Sequence, residues 1–333
     1  MVKRYRKIFL ATLSTLVLSY FLFREIALTD IFRAFHSFSI SSLGIILLWF
    51  FLIFLIDTVR YHTLLLDKKQ KSLKKLFSVI TGGNLLLNLL PFRSGELSYI
   101  FFMNRELNVS KTQGTLVVAI MRTFDMIALL ILFSLALLNT ENLPDPLHNQ
   151  FLKGASLILL LVALTILFLI IAQYHALKKL VESVLLKFLK GSVREKISTA
   201  LTAGYHYTKN YGNRHTLFFM GILSLLYWSL RYLLGFFLVR TLGISIGIWE
   251  MFLISSLLMF SVLIPIQGIG DLGVFEAKWT ILFMLFGVRK EVAITSGLAF
   301  HMVLFSITVV FGIYGLVQMS TRYKSGAQGN KTP

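Results

Sequence analysis

Asn84-Leu-Leu-Leu-Asn88-Leu-Leu-Pro91-Phe-Arg93-Ser-Gly95-Glu96 starts as a membrane helix and then breaks. Apolar residues give way within a few positions to a proline, a glycine and two charges. Broken backbone at membrane depth survives only where protein or a water-filled cavity satisfies its N–H and C=O groups. The stretch is therefore a candidate site. A second stretch has the same layout: Met251–Ile264 runs apolar into Pro265, followed by Gln267, Gly268, Gly270, Asp271, Gly273 and Glu276. Two interrupted hydrophobic segments in corresponding halves of a chain point to the binding site of a transporter.

Composition sets the frame for both. The 333 residues are 56% hydrophobic, and the mean hydropathy is +0.77. The apolar runs approach the ~20 residues that cross a bilayer, longer than a soluble core requires. The net charge of +18 would suggest nucleic acid in a soluble protein. In a membrane protein it is accounted for by lysine and arginine in cytoplasmic loops, so no nucleic-acid partner is expected. Cysteine is absent, which excludes disulfides and thiolate metal sites.

Full spans are predicted at Ile8–Phe23, Ile40–Ile56, Thr115–Leu138, Ala155–Ala172, Leu217–Val239 and Val292–Met319. The first follows Lys3-Arg4-Tyr5-Arg6-Lys7 and has no small-residue cleavage site after it, so it reads as an uncleaved helix. Basic residues cluster before span one, after span two (Arg60, Lys68, Lys69, Lys71, Lys74 and Lys75) and between spans four and five. Asn139–Lys153, in contrast, holds Glu141 and Asp145 against one lysine. About six crossings with both termini cytoplasmic agree with this bias throughout. In that scheme the interrupted stretches, near residues 77–100 and 251–288, enter from opposite sides as re-entrant hairpins, as an inverted repeat would place them. Residues 173–214 read as a cytoplasmic amphipathic segment, with Leu177, Leu180, Val181, Val184, Leu185 and Phe188 at helical spacing between lysines. Packing of that segment on the protein's own loops is the alternative. The predicted fold is an all-α, polytopic integral membrane bundle: a single membrane domain over residues 1–320 and a solvated tail over 321–333.

Span three carries Arg122 and Asp125 on one helix face. A charge near the bilayer centre costs ~2.5–3.5 kcal/mol on the insertion scale, so such residues are rare and commonly functional. They read either as a self-neutralising structural pair or as an arginine facing an anionic head group with an orienting carboxylate. Arg93 and Glu96 extend the same reading, although Arg93 could also snorkel to lipid phosphates. Asn84 and Asn88 read first as helix–helix hydrogen-bonding residues and second as substrate contacts. Gln267, Asp271 and Glu276 are the polar candidates of the second hairpin. Arg231 and His301 stand alone among apolar neighbours; His301 reads more readily as a satisfied core histidine, whereas Arg231 cannot neutralise itself.

Catalytic motifs are scarce. Gly268-Ile-Gly270-Asp-Leu-Gly273 matches a dinucleotide fingerprint, but membrane-grade apolar runs flank it where a strand is required. No P-loop and no G-x-S-x-G occurs, and the seven histidines are scattered. No cofactor, no metal and no catalytic residue is assigned.

Three motifs carry a family likeness: Leu89-Leu90-Pro91-Phe-Arg93-Ser-Gly95-Glu96, Arg122-x-x-Asp125, and Ile264-Pro265-x-x-Gly268-x-Gly270-x-x-Gly273-x-x-Glu276. Together they resemble the flippase-like transmembrane domain of lysylphosphatidylglycerol synthases, including its stand-alone members, over about residues 5–320. The resemblance implies an inner-membrane protein that moves lipids or lipid-linked head groups between leaflets. It also implies that Arg93, Glu96, Arg122, Asp125 and Glu276 occupy the family's polar positions, with Asp271 between two family glycines. Pro91, Gly95, Pro265, Gly268, Gly270 and Gly273 shape the hairpins in that reading. The synthases' soluble aminoacyltransferase domain is expected to be absent, so the chain is not expected to be an enzyme. The expected partners are membrane lipids, a phospholipid or a polyprenyl phosphate. A membrane-embedded head-group transferase, or an accessory scaffold bound to a lipid-synthesis enzyme, is the alternative.

Overall fold

The computed structural model describes residues 38–65, 72–90, 95–141, 143, 150–172, 214–261 and 269–329. The described residues form nine α-helices and one short 3-10 turn, with no strand among them. Predicted span one, the amphipathic segment 173–213, and hairpin residues Pro91, Arg93, Pro265, Gln267 and Gly268 lie outside the described residues.

Among the described residues, four helices are long and apolar enough to cross a membrane. Helix α1, Ile40–Leu64, starts where the Ser39 hydroxyl accepts from the Ser42 amide at 3.1 Å, so a side chain satisfies one of the helix's orphan donors. At 25 residues and ~1.5 Å per residue it exceeds the ~30 Å hydrocarbon core. Helix α4, Lys111–Asn139, starts the same way, with Ser110 accepting from Gln113. Helix α6 is Arg214–Thr241. Helix α9, Lys290–Gly329, holds the fourth candidate span within Lys290–Thr321. Helix α5, Gln150–Ala172, has a shorter apolar stretch, Leu152–Phe168.

Between these lie helices α2 (Leu73–Leu89), α3 (Glu96–Leu107), α7 (Ile248–Ser261) and α8 (Val274–Leu285). At 12 to 14 residues, α3, α7 and α8 fall short of the ~17 a crossing needs. Helix α2 packs on α3, and α7 touches α8.

Two predicted boundaries move. Span two does not end at Ile56, because α1 continues through Asp57 and Arg60 to Leu64 and buries both charges. Arg60 is therefore not a loop cation, as the charge tally takes it to be; Asp57, one helical turn before it, makes it tolerable inside the bundle. Helix α9 likewise runs past Ser320 to Gly329, since no proline interrupts the 321–329 segment and extending a formed helix is easier than starting one.

The most extensive helix contact joins α2 to α9, and glycine makes it possible. A Cβ at Gly315 would meet the Ser78 carbonyl oxygen at 2.6 Å and the Gly82 amide at 2.7 Å. Small residues let membrane helices approach until their backbones touch. Gly95, at the start of α3, lies against the backbone of α2 at Leu86 and Leu87 in the same manner. Helices α4, α5, α6 and α7 pack among themselves, and α1 packs on both α2 and α6. A cavity of about 410 Å³ opens where these groups meet.

Candidate functional site: a charged cavity inside the bundle

Five charges from three helices form one chain along a cavity wall. On α1, Asp57 pairs with Arg60 at 3.0 Å. Arg60 reaches across to Asp125 on α4 in a short ion pair, and its second amino group also meets the Ser224 hydroxyl on α6 at 3.1 Å. The other Asp125 oxygen takes Arg122 at 3.1 Å, and Arg122 Nε faces Glu96 of α3 at 3.1 Å. Trp228 on α6 donates its indole N–H to Asp125 at 2.9 Å. Asp125 is thus the hub, receiving two arginines and an indole.

Position along the chain grades exposure. Arg60 is fully buried at 0%, whereas the Arg122 and Glu96 side chains are 36% and 27% exposed. All five charges border the cavity, and the exposed end of the chain is the Arg122–Glu96 end. Ion pairs of this kind gain Coulomb energy in a low dielectric but must offset the cost of desolvating each charge. Alternating signs over contiguous contacts are the arrangement that offsets it.

Aromatic rings line the same wall. Tyr61 stacks on Tyr99 with centroids 5.6 Å apart, tying α1 to α3. The Arg60 guanidinium lies 4.5 Å from the centroid of the Tyr227 ring. Arg231, one turn further along α6, donates to the Tyr227 hydroxyl at 3.2 Å and sits near the faces of Tyr227 and Trp228. Such contacts contribute ~0.5–2 kcal/mol, less than the ~2.5–3.5 kcal/mol that a central membrane charge costs on the insertion scale.

The cavity is also lined from α8, α9 and the 3-10 turn Ile269–Asp271. His301 Nδ1 lies 2.7 Å from Glu276 Oε1, and the Gly273 amide donates to Glu276 Oε2 at 2.7 Å. Glu276 thereby caps the first turn of α8 from position N3, the half of a capping box that a glycine N-cap allows. It is 3% exposed and does not line the cavity; His301 does, in front of it. Gly270 and Gly273 hold φ of 63° and 77°, and Asp271 at 56° shares the left-handed region, which lets the chain turn sharply into α8. Asp271 lines the cavity, with Lys278 Nζ at 3.8 Å.

The predicted site residues therefore separate. Glu96, Arg122, Asp125, Asp271 and Asn88 line one cavity, and Glu276 stands behind it. Asn84 and Asn88 bond to each other along α2, at 2.8 and 3.0 Å, rather than to another helix. Spacing of four residues allows either partner, and the intrahelical one was taken. Arg231 and His301, read from sequence as lone polar residues, both face the cavity. His301 is satisfied, by a carboxylate. The described elements on either side of the glycine-rich stretch are helices, α7 and α8.

Asp57, Arg60 and the aromatic wall were missed. A signal was present: Asp57-x-x-Arg60 is the Arg122-x-x-Asp125 pattern with its signs reversed. Treating Arg60 as the start of a basic loop concealed it.

The fold and cavity define a class: a polytopic helical membrane protein with a charged, aromatic-lined chamber within its bundle. Within that class, the chain belongs to the lysylphosphatidylglycerol synthase TM region family, which it matches over residues 8–312. The match is to the membrane region, and no catalytic domain is detected. No match is found among curated proteins or among solved structures.

Proposed function

We propose that this protein moves a phosphate-bearing lipid, or a lipid-linked head group, between membrane leaflets through the cavity. One observation carries the reading: three guanidinium groups, Arg60, Arg122 and Arg231, line a chamber of about 410 Å³ among membrane-length helices. Arginine's planar fork matches phosphate oxygens. Apolar residues such as Met126, Leu129, Met259 and Phe305 line the rest, a surface compatible with lipid chains. The pairs α2/α3 and α7/α8 would be the two re-entrant hairpins, related by an inverted repeat and meeting at the chamber. The protein would lie in the cytoplasmic membrane with both termini inside and membrane lipids as its partners.

The test is head-group flipping in proteoliposomes. Arg122→Ala and Glu96→Ala are expected to slow flipping markedly, because each removes one end of the outer ion pair. Wild-type rates in both would remove this chamber from the pathway. A second reading draws on the Glu276–His301 contact at 2.7 Å, which has the reach required of a general acid–base pair. In that reading the chain is a membrane-embedded head-group transferase. A change in lipid mass on incubation with purified protein supports it; a change in leaflet position alone excludes it.

A further inference from the structure

The three guanidinium groups of the cavity are not equivalent. Arg60 meets Asp57 and Asp125, and Arg122 meets Asp125 and Glu96. Arg231 meets no carboxylate among the described residues. One amino group donates to the Tyr227 hydroxyl at 3.2 Å, and its guanidinium carbon lies 5.7 and 5.6 Å from the Tyr227 and Trp228 ring centroids. Arginine carries five N–H donors and stays protonated in proteins, so among the described residues most of its hydrogen-bonding capacity is uncommitted and its charge has no ionic partner. A permanent cation at membrane depth is normally matched by an anion.

The protein also holds this side chain in place. Trp228 is anchored by its N–H to Asp125, and Tyr227 lies beside both Arg60 and Arg231. The ion-pair network thus fixes the two rings against which Arg231 rests, without using its fork. The carboxylates paired with Arg60 and Arg122 repel an approaching anion, whereas no described carboxylate is paired with Arg231.

We propose that Arg231 is the anion-binding residue of the cavity, and that its ligand is the phosphate oxyanion of a lipid. Arg60 and Arg122 are the structural cations that position it. The assignment rests on the translocation reading above and reverses the sequence expectation, which put Arg122 at the phosphate. A bilayer phospholipid and a polyprenyl phosphate both offer the required oxyanion.

The experiment uses the full chain, purified gently, with bound lipid extracted and identified by mass spectrometry. Flipping is measured in vesicles of phosphatidylethanolamine and phosphatidylglycerol, with and without a polyprenyl monophosphate. Wild type is expected to retain a phosphate lipid, and its identity tells the two sources apart. In Arg231→Gln, retention and flipping are expected to fall on the order of tenfold or more, the scale of a lost charge-assisted hydrogen bond. The unfolding midpoint in lipid-free detergent is expected to hold or rise, and added lipid no longer raises it. A lower lipid-free midpoint with the lipid-induced rise intact would mean a structural role and overturn the assignment. Wild-type retention and flipping in Arg231→Gln would overturn it too, leaving the translocation reading standing. Failure of wild type to retain or flip any phosphate lipid would remove both. Should Arg231→Gln not fold, Arg231→Lys decides: weaker retention supports the assignment, because an ammonium lacks the parallel donor pair, and unchanged retention overturns it.

Discussion

Two helix contacts hold the cavity walls together by opposite means. Where α1 meets α4, charged side chains fill the seam, with Arg60 and Asp125 at its centre. Where α2 meets α9, side chains are missing, and Gly82, Gly312 and Gly315 let the helices close on one another. The first contact fails when something is removed, because a buried partner is left uncompensated. The second fails when something is added, because close-packed backbones have no room for it. A membrane bundle has little hydrophobic driving force between its helices, so complementary charge and close contact bear more of the specificity.

Substitutions can break or sharpen that contrast. The largest effect is expected from Asp125→Ala, which breaks the link between Arg60 and Arg122, takes one carboxylate from each and leaves the Trp228 indole without its acceptor. Breaking a buried ion pair costs about 3–5 kcal/mol, to be read from denaturant unfolding in micelles. Adding Arg60→Met should deepen the loss, since buried Asp57 then loses the arginine it pairs with; recovery instead would mean the seam does not depend on these pairs. Gly315→Val should follow at about 1–3 kcal/mol, the usual range for overpacking. Its new Cβ meets backbone atoms at 2.6 and 2.7 Å, so a neutral result would show that the crossing is looser than described.

Glu276→Ala removes the α8 cap and the His301 partner together. Loss of a helix cap typically costs about 0.5–2 kcal/mol, and the unfolding midpoint should drop accordingly. Glu276→Gln sharpens this: an amide oxygen can still accept from Gly273, so it should recover the cap even if the His301 contact changes. The smallest effect belongs to Asn88→Ala. Asn88 is exposed and, among the described residues, bonds within α2, so its stability change should stay within about 0.5 kcal/mol. A larger loss would give Asn88 a structural role that no contact here suggests.

Much of this was legible beforehand, and the failures are instructive. The Arg122–Asp125 pair was readable because i,i+3 spacing on a helix dictates adjacency. Glu96 was readable as a site residue because it follows a helix break. Its partner was not, since nothing local ties residue 96 to residue 122. Asp57 and Arg60 obey the same local rule as Arg122 and Asp125, but they stand where an apolar run fades, and there hydropathy reads an end of span. Glu276 was found for one reason and serves another: its nearest contacts are a helix terminus and His301, not the chamber.

Hydropathy and residue type alone determined that this chain is an all-α membrane protein, because runs of that length and polarity leave only helices with internally satisfied backbones. They also determined which short-range pairs would sit on one helix face. Tertiary structure decided which cation is committed and which is not. Arg60, Arg122 and Arg231 are alike as sequence, each an arginine in or at the edge of an apolar helix. Spacing along one helix already gives Arg60 its Asp57, Arg122 its Asp125 and Arg231 its aromatic rings. Only the crossing of α1, α3 and α4 adds the Arg60–Asp125 and Arg122–Glu96 pairs, and it brings no described carboxylate to Arg231, because ion pairing acts over a few ångströms and those chain positions are far apart.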